Sequence, residues 1–366
     1  MKGETRFRIY KILYPLAWLY GLAVWMRNRL FDAGVISRMR FRTPVICIGN
    51  LTVGGTGKTP HTEYLIRLLC GEQRRVAVLS RGYKRKSKGF VLADEATPME
   101  EIGDEPFQMK SKFPHITVAV DADRCEGVRL LEESSPAQRP DVVLLDDAYQ
   151  HRYIMAGLNI LLTDYNRPIY ADALLPAGRL RESFAGRKRA QIIIVTKCPP
   201  GLGEEEAGNI RRRLRLQPGQ KLYFTTLQYV HLQPFSAGEG SGNVPLPLSA
   251  ISKEKQVILL TGIASPEKLE SDLKAYTPHI ISLRFADHHQ FTASEAEEIR
   301  RTYNEKGKGG IIITTEKDAT RLHGIGLGSA VESRLYVLPV EVKVLLGQAE
   351  EFNNNIKEYV RSHLNV

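Results

Sequence analysis

The chain has 366 residues and a formal net charge of +10 at neutral pH, and 43% of its residues are hydrophobic. This length indicates roughly two domains with ample material for a core, and the absence of low-complexity tracts indicates a globular protein. The charge is uneven, since residues 1–42 hold nine lysines and arginines against two acidic residues. Because this positive charge lies among aliphatic side chains rather than on a sheet with exposed aromatics, nucleic acid is not an expected partner.

An uncharged stretch of aromatic and aliphatic residues, Ile12 to Met26, lies between Lys11 and Arg27. It is shorter than the ~20 residues that a spanning helix needs, but its tyrosines, tryptophans and flanking arginines suit a helix in the headgroup region of a membrane. We therefore predict a membrane-associating segment over residues 1–42. A helix buried in the core and a true span are the alternatives. No small-residue cleavage site precedes Arg27, so we expect no cleaved signal peptide and a cytoplasmic protein.

Short apolar runs recur through the first part of the chain, with helical or loop material between them. They are Val45–Ile48, Val76–Leu79, Ile116–Val120, Val142–Leu145, Ile160–Leu162 and Ile192–Val195. This alternation predicts an α/β domain over residues 43–224, with a mostly parallel sheet covered on both faces.

The same alternation resumes further along the chain and predicts a second, smaller α/β domain over residues 225–343. Its expected strands are 256–260, 280–285 and 310–314, and its expected helices are 266–275 and 293–306. Two β-rich runs at the chain crossings, 221–230 and 334–342, predict a two-stranded linker, and 233–248 reads as a loop. The last helix, 346–364 within the segment 344–366, is expected to return to the first domain.

The cysteines give no sign of a disulfide framework or a metal site. Cys47, Cys70, Cys125 and Cys198 show no C-x-x-C spacing. We predict reduced, buried thiols of a cytosolic protein.

A glycine-rich turn ending in Gly-Lys-Thr directly follows the first apolar run. Such a turn between a strand and a helix cradles a nucleoside triphosphate, because backbone N–H groups converge on the phosphates and the lysine reaches the β/γ-phosphates. The strict spacing would place glycine at position 52, so the turn is a variant. The predicted nucleotide-binding residues are Thr52, Val53, Gly54, Gly55, Thr56, Gly57, Lys58 and Thr59.

Two adjacent carboxylates, Asp146 and Asp147, follow the apolar run that ends at Leu145. An acidic strand end is the usual partner of a phosphate loop and holds Mg²⁺ directly or through water. We predict a magnesium site formed by Thr59, Asp146 and Asp147. Capping of the next helix is the alternative role of the acidic pair.

The run that ends in Thr196-Lys-Cys-Pro199 bears on the choice of nucleotide. GTPases read guanine with an aspartate in the place that Pro199 takes here, so ATP is favoured over GTP. Partition-type ATPases carry a second lysine where this chain has Val53, which disfavours that class.

Further short motifs complete a pattern that resembles the tetraacyldisaccharide 4′-kinases, the lipid A 4′-kinases of Gram-negative envelopes. The resemblance covers nearly the whole chain. The motifs are Asn50 to Pro60, Ser80-Arg-Gly-Tyr83, Gly103-Asp-Glu105, the acidic pair, Leu175-Pro-Ala-Gly178, Leu180-Arg-Glu182, Phe285-Ala-Asp-His-His289, Thr315-Glu-Lys-Asp318 and Arg321-Leu322. Ala148 and Tyr149 depart from the Gly-Phe that usually follows the acidic pair.

The resemblance implies two α/β/α domains, a two-stranded linker, and transfer of the ATP γ-phosphate to the 4′-hydroxyl of an acylated glucosamine disaccharide 1-phosphate. The site would lie at the cytoplasmic face of the inner membrane and require Mg²⁺. Asp104 matches the proposed base of the family and His288 the histidine thought to pair with it. Lys58, Arg124 and Arg181 would offset the developing charge.

Two other functions agree with the residues alone. One is a membrane-associated P-loop ATPase or GTPase that acts as a switch, and the other is a nucleotide-binding scaffold. A switch turns over nucleotide in response to a protein, a scaffold binds without turnover, and a kinase shows little turnover without its lipid acceptor.

Overall fold

The computed structural model describes residues 9–236, 244–263, 266–287 and 289–364. They divide into two compact units. The first comprises the chain up to Leu227 and again from Val342, and the second is Gln228–Glu341. The helices are α1 (Tyr14–Asp32), α2 (Lys58–Gly71), α3 (Met99–Ile102), α4 (Asp104–Lys112), α5 (Arg124–Glu132), α6 (Glu204–Leu214), α7 (Pro266–Leu273), α8 (Ala293–Thr302), α9 (Glu316–Leu322), α10 (Ser329–Glu332) and α11 (Ala349–Leu364).

The strands form two separate sheets. They are β1 (Val45–Asn50), β2 (Val76–Ser80), β3 (Val91–Ala93), β4 (Thr117–Val120), β5 (Val142–Asp146), β6 (Leu158–Asp164), β7 (Ile192–Thr196), β8 (Lys221–Tyr229), β9 (His231–Pro234), β10 (Leu246–Pro247), β11 (Val257–Thr261), β12 (Ile280–Arg284), β13 (Ile311–Thr315), β14 (Leu335–Leu338) and β15 (Val340–Val344). Short 3₁₀ turns lie at Lys11–Leu13, Phe184–Arg189 and Leu248–Lys253, and a π turn lies at Tyr303–Gly307.

The first sheet has the order β15-β8-β7-β6-β1-β5-β2-β4-β3. Its strands pair in parallel from β8 to β4, and β3 pairs antiparallel to β4. Each of the six apolar runs is a strand of this sheet. The predicted α/β class with a mostly parallel sheet is confirmed.

Alternate residues of β1 contribute to different apolar clusters, which is why the strand reads as a continuous apolar run. Val45 and Cys47 belong to one cluster, and Ile46 and Ile48 belong to the other. Helix α11 covers the second cluster with three residues spaced four apart, Phe352, Ile356 and Val360. The burial of these apolar side chains therefore stabilises the packing of α11 on the first sheet.

The second sheet has the order β10-β9-β14-β13-β11-β12. Strands β12, β11, β13 and β14 pair in parallel, and β9 pairs antiparallel to β14 and β10. The two chain crossings supply strands to both sheets, because β8 lies beside β15 in the first and β9 beside β14 in the second.

Several local expectations need correction. The segment 233–248 is not simply a loop, since its ends belong to β9 and β10; residues 237–243 lie outside the described chain. The last helix begins at Ala349 rather than 346, because Leu346 and Gly347 have φ angles of +55° and +66°, which a right-handed helix does not allow. The cysteines are free thiols, but Cys70 is only partly buried.

Helix α1 is not a buried core helix. Of its residues only Ala17 and Phe31 are buried, whereas the side chains of Trp18, Leu19 and Trp25 are 77%, 66% and 54% exposed. Within the described chain, no helix combines the length and the apolar character that crossing a bilayer requires.

Replacing Ile356 with alanine tests the docking of α11. We expect the free energy of unfolding to fall by about 2–5 kcal/mol, because a fully buried side chain would leave a cavity between helix and sheet. Chemical denaturation followed by circular dichroism measures this loss. Glu358→Ala on the exposed side of the same helix is the control, and an equal loss in both variants would contradict apolar docking.

Candidate active site

The predicted phosphate loop lies between the end of β1 at Asn50 and the start of α2 at Lys58. Gly54 and Gly57 have φ angles of +114° and +84°, in the region that favours glycine. Residues 52–57 therefore form the turn itself, and Lys58 and Thr59 open the helix. This is the strand, loop and helix arrangement expected for a phosphate cradle.

A second segment, residues 174–182, holds the loop from one side. The Val53 N–H donates to the Arg179 carbonyl oxygen at 2.8 Å, and the Arg181 N–H donates to the Leu51 carbonyl oxygen at 2.7 Å. Thr52 and Leu180 form an isolated antiparallel bridge between the two segments. The Leu-Arg-Glu motif thus lies against the phosphate loop.

Asp147 is the electrostatic centre of the site. Its carboxylate lies 3.5 Å from Lys58 Nζ and 3.0 Å from an Arg181 guanidinium nitrogen. Burial raises its pKa, but Lys58 and Arg181 together lower it more, so the pKa of Asp147 lies below its ordinary value. The residue has a φ of +48°, a left-handed conformation.

Asp146, the last residue of β5, is buried and has the opposite shift. One of its oxygens accepts a hydrogen bond from the Thr62 hydroxyl at 3.1 Å, and its other oxygen, Oδ2, has no partner within the described chain. Burial, with the charges of Glu105 and Asp147, raises the pKa of Asp146 to about 7. A buried carboxylate oxygen without a partner is the feature that a cation would satisfy.

The donor set fits Mg²⁺, which prefers oxygen ligands and is commonly held by one or two carboxylates together with phosphate oxygens. Asp146 supplies the unpartnered oxygen, Asp147 is adjacent, and Thr59 lies next to Lys58 at the start of α2. The alternative, in which the acidic pair caps the next helix, does not agree with the structure, because the first helical segment after Asp147 in this fully described part of the chain is the 3₁₀ turn at Phe184–Arg189.

Asp104 is the first residue of α4, and it follows Gly103, whose φ is +90°. A side chain at Gly103 would lie 3.0 Å from the Tyr83 carbonyl oxygen, so glycine allows the two motifs to approach closely. Glu105 lies close enough to Asp146 for its charge to help raise the pKa of that buried carboxyl group. The Gly-Asp-Glu motif is therefore near the acidic pair. His288 lies outside the described residues, so its pairing with Asp104 stays a prediction.

The two arginines differ in environment. Arg124 opens α5 and is buried, with its guanidinium near enough to Asp146 and Asp147 to interact with both charges. Arg181 contacts Asp147 and the Asn50 side chain. Arg124 is therefore buried and Arg181 partly exposed, and both lie near the acidic pair.

The departure at Ala148 leaves the backbone undisturbed, since the left-handed residue is Asp147 and Ala148 does not have a positive φ. The close approach is instead made at Gly49, where a side chain would lie 2.7 Å from Tyr149 Cβ. Tyr149 donates its hydroxyl to the Gly186 carbonyl oxygen at 2.9 Å.

Several residues that shape the site had no role assigned from the sequence, although Asn50 and Glu182 belong to the motifs named there. The buried Asn50 amide donates to Thr56 Oγ1 at 2.7 Å, and Glu182 is buried in an ion pair with Arg189 at 2.8 Å. Asn28 of α1 also donates to Glu182 at 3.0 Å. A polar residue such as Asn50 at the end of an apolar run was the available signal.

Comparison with known proteins agrees with this geometry. The sequence model of the family described as tetraacyldisaccharide-1-P 4′-kinase matches residues 9–361. A tetraacyldisaccharide 4′-kinase of Phocaeicola vulgatus is 53% identical over 366 residues, covering 99% of this chain and 98% of that protein. One of Flavobacterium johnsoniae is 45% identical over 354 residues, covering 97% of this chain and 98% of that protein.

A solved structure is similar over nearly the whole length. The crystal structure of LpxK from Aquifex aeolicus in complex with ATP has a TM-score of 0.73 and 30% identity, covering 96% of this chain and 99% of that chain. The family model, the relatives and this structure agree with the motifs assembled around the phosphate loop. The chain therefore belongs to the tetraacyldisaccharide-1-P 4′-kinase family.

Proposed function

We propose that this protein transfers the γ-phosphate of ATP to the 4′-hydroxyl of an acylated glucosamine disaccharide 1-phosphate, at the cytoplasmic face of the inner membrane and with Mg²⁺. The observation that carries the proposal is the cluster of Lys58, Asp146, Asp147 and Arg181 at the phosphate loop of a chain in this family. The ATP complex of the Aquifex aeolicus protein supports ATP as the donor.

The chemistry asks for positioning and charge neutralisation more than for covalent catalysis, because phosphoryl transfer passes through a loose transition state. Lys58, Arg124 and Arg181 would neutralise charge on the phosphoryl oxygens. Asp104 would accept the proton of the attacking 4′-hydroxyl as the new oxygen–phosphorus bond forms and the ADP oxygen leaves. Mg²⁺, held by Thr59, Asp146 and Asp147, would offset phosphate charge when bound.

The direct test is incubation with γ-labelled ATP and acylated disaccharide 1-phosphates, followed by separation of the lipids. Label is expected in the glycolipid with the wild type and nearly none with Lys58→Ala, because the backbone cradle cannot replace that positive charge. Nucleotide hydrolysis that needs no lipid, without labelled glycolipid, would favour the switch function. Binding without turnover would favour a scaffold.

The acidic pair gives a prediction on metal dependence. Asp146→Asn and Asp147→Asn are each expected to raise the Mg²⁺ concentration for half-maximal kinase activity, because each removes a carboxylate charge from the site. Magnesium titration at saturating ATP measures this. Asp141→Asn, directly before the opposite end of β5 and paired with Arg75, is the matched control. An unchanged magnesium requirement in both site variants would remove the pair from the metal site.

Replacing Asp104 tests the proton acceptor. Asp104→Asn should lower kcat by about 10²- to 10⁴-fold, the usual contribution of a general base, and leave the affinity for ATP largely intact. Steady-state kinetics with both substrates separate the two effects. Glu101→Gln, exposed in α3, is the control. A large rise in the KM for ATP would instead assign Asp104 to the metal site.

Helix α1 supports a peripheral attachment to the membrane. Polar contacts hold it on the first unit, since the Tyr20 hydroxyl donates to the Arg181 carbonyl oxygen at 2.8 Å and Arg27 donates to the Gln150 carbonyl oxygen at 2.6 Å. Its exposed apolar side chains include Trp18 and Trp25, and the Arg29 guanidinium lies over the Trp25 ring at 5.5 Å from its centroid. Such a helix fits the headgroup region, with arginines near anionic lipid.

Vesicle flotation checks this attachment. High salt should release much of the protein from anionic vesicles, because screening removes roughly 1 kcal/mol per basic contact. Trp18→Ser combined with Leu19→Ser should weaken binding, whereas Leu92→Ser, at an apolar residue of β3 that is 54% exposed, should not. Retention of the wild type through both high salt and an alkaline wash would contradict peripheral attachment.

A further inference from the structure

The carbonyl groups of the phosphate loop are held from outside by side chains. Successive peptide oxygens, those of Gly54, Gly55, Thr56 and Gly57, each accept a hydrogen bond from a side chain beyond the loop. The donors are Asn50 Nδ2 to Gly54 at 3.4 Å, Lys197 Nζ to Gly55, Thr196 Oγ1 to Thr56 at 2.9 Å, and His61 Nδ1 to Gly57 at 2.7 Å.

Holding these oxygens fixes where the amide groups point. In a planar trans peptide the C=O and the following N–H point in opposite directions. With the oxygens turned outward, the N–H groups of residues 55–58 face the other side, and none of them has an acceptor within the described chain. Converging N–H groups of this kind form an anion-binding concavity.

Two of these donors come from the end of β7. Thr196 is its last residue and is fully buried, so its hydroxyl is fixed next to the loop. Lys197 follows with a φ of +57°, a left-handed conformation that residues other than glycine rarely adopt. Its ammonium group also pairs with Asp164, the last residue of β6, at 2.8 Å. Two neighbouring strand ends therefore fix one lysine over the loop.

His61 holds the last carbonyl in a defined protonation state. Burial lowers the pKa of His61 to about 4, so the imidazole is neutral near pH 7. A carbonyl oxygen only accepts, so Nδ1 carries the proton toward Gly57, and Nε2 accepts from the Thr225 hydroxyl at 3.0 Å. The hold on this carbonyl is thus independent of pH through the neutral range.

We propose that Thr196 and Lys197 are positioning residues that preset the phosphate loop for the triphosphate of the nucleotide. They hold two successive carbonyls outward so that the N–H groups of Thr56 and Gly57 already face the phosphates before binding. The segment that in GTPases reads the base would here act on the triphosphate instead. The identity of the nucleotide rests on the proposed function, but the cradle does not depend on the lipid acceptor.

Binding measurements separate this role from a contact with the base. Isothermal calorimetry would compare ATP with inorganic tripolyphosphate, which has no base, for the wild type, Thr196→Val and Lys197→Met. Each variant should bind both ligands about tenfold more weakly, because it loses one hydrogen bond that orients the phosphate loop. Because the two residues hold adjacent peptides of one loop, the double variant should lose less than the product of the single losses.

Controls keep the test specific. Thr196→Ser retains the hydroxyl and should restore binding. Thr163→Val removes a buried hydroxyl of β6 that accepts from the Ile169 N–H, and it leaves the Thr163 carbonyl oxygen, which the Thr196 hydroxyl also contacts at 3.3 Å, in place. Lys188→Met removes an exposed lysine and should have no effect. In kinase assays the KM for ATP should rise, with the KM for the lipid nearly unchanged.

The outcomes that overturn the proposal are distinct. If the variants lost affinity for ATP but not for tripolyphosphate, Lys197 would contact the base. If the wild type bound ATP but not tripolyphosphate, the loop would not bind the triphosphate on its own. If both variants kept the wild-type affinity, or if Thr196→Ser did not restore it, the contacts of Thr196 and Lys197 would only pack the strand end against the loop and would not preset it. Because all these readings come from binding, they stand even if no lipid is phosphorylated.

Discussion

Two adjacent carboxylates at the end of β5, those of Asp146 and Asp147, lie in different electrostatic environments, and the other charged groups of the site are placed around this pair. Asp147 is kept ionised by Lys58 and Arg181, whereas Asp146 is buried with one oxygen unpartnered and a pKa raised to about 7. The Lys58 and Arg181 contacts draw the start of α2 and the segment 174–182 to the same point. Loop, helix and acidic strand end are therefore joined by charge as well as by backbone.

The segment 174–182 contacts both the phosphate loop and helix α1. On one side it bonds the loop at Leu51 and Val53, and on the other the Tyr20 hydroxyl bonds the Arg181 carbonyl oxygen. A single segment therefore contacts both the phosphate loop and the helix that carries the exposed apolar side chains.

In the second unit, one family motif acts as local scaffolding. Asp318 is buried, accepts from the Gly262 N–H at 2.9 Å and the Thr315 hydroxyl at 2.7 Å, and lies 3.5 Å from the buried Arg321. Burial raises the pKa of Asp318. Both hydrogen bonds end on Oδ2, whereas Oδ1 faces the Arg321 guanidinium, and the Oδ2 contacts tie the end of β13 to the residue that follows β11.

Local signals in the sequence determined the elements that need only neighbouring residues. Apolar runs placed the strands of the first sheet, and glycines placed the turn between β1 and α2, because strand periodicity and glycine turns are short-range properties. The exposed aromatic stretch in α1 was also visible as a pattern. Contacts between distant parts of the chain were decided only by the tertiary structure. Lys197, directly after β7, donates to the Gly55 carbonyl oxygen. Asp147, whose backbone is left-handed, pairs with Arg181. Such pairings depend on which strands lie side by side, and the physical reason that sequence alone leaves them open is that sheet order is set by long-range packing.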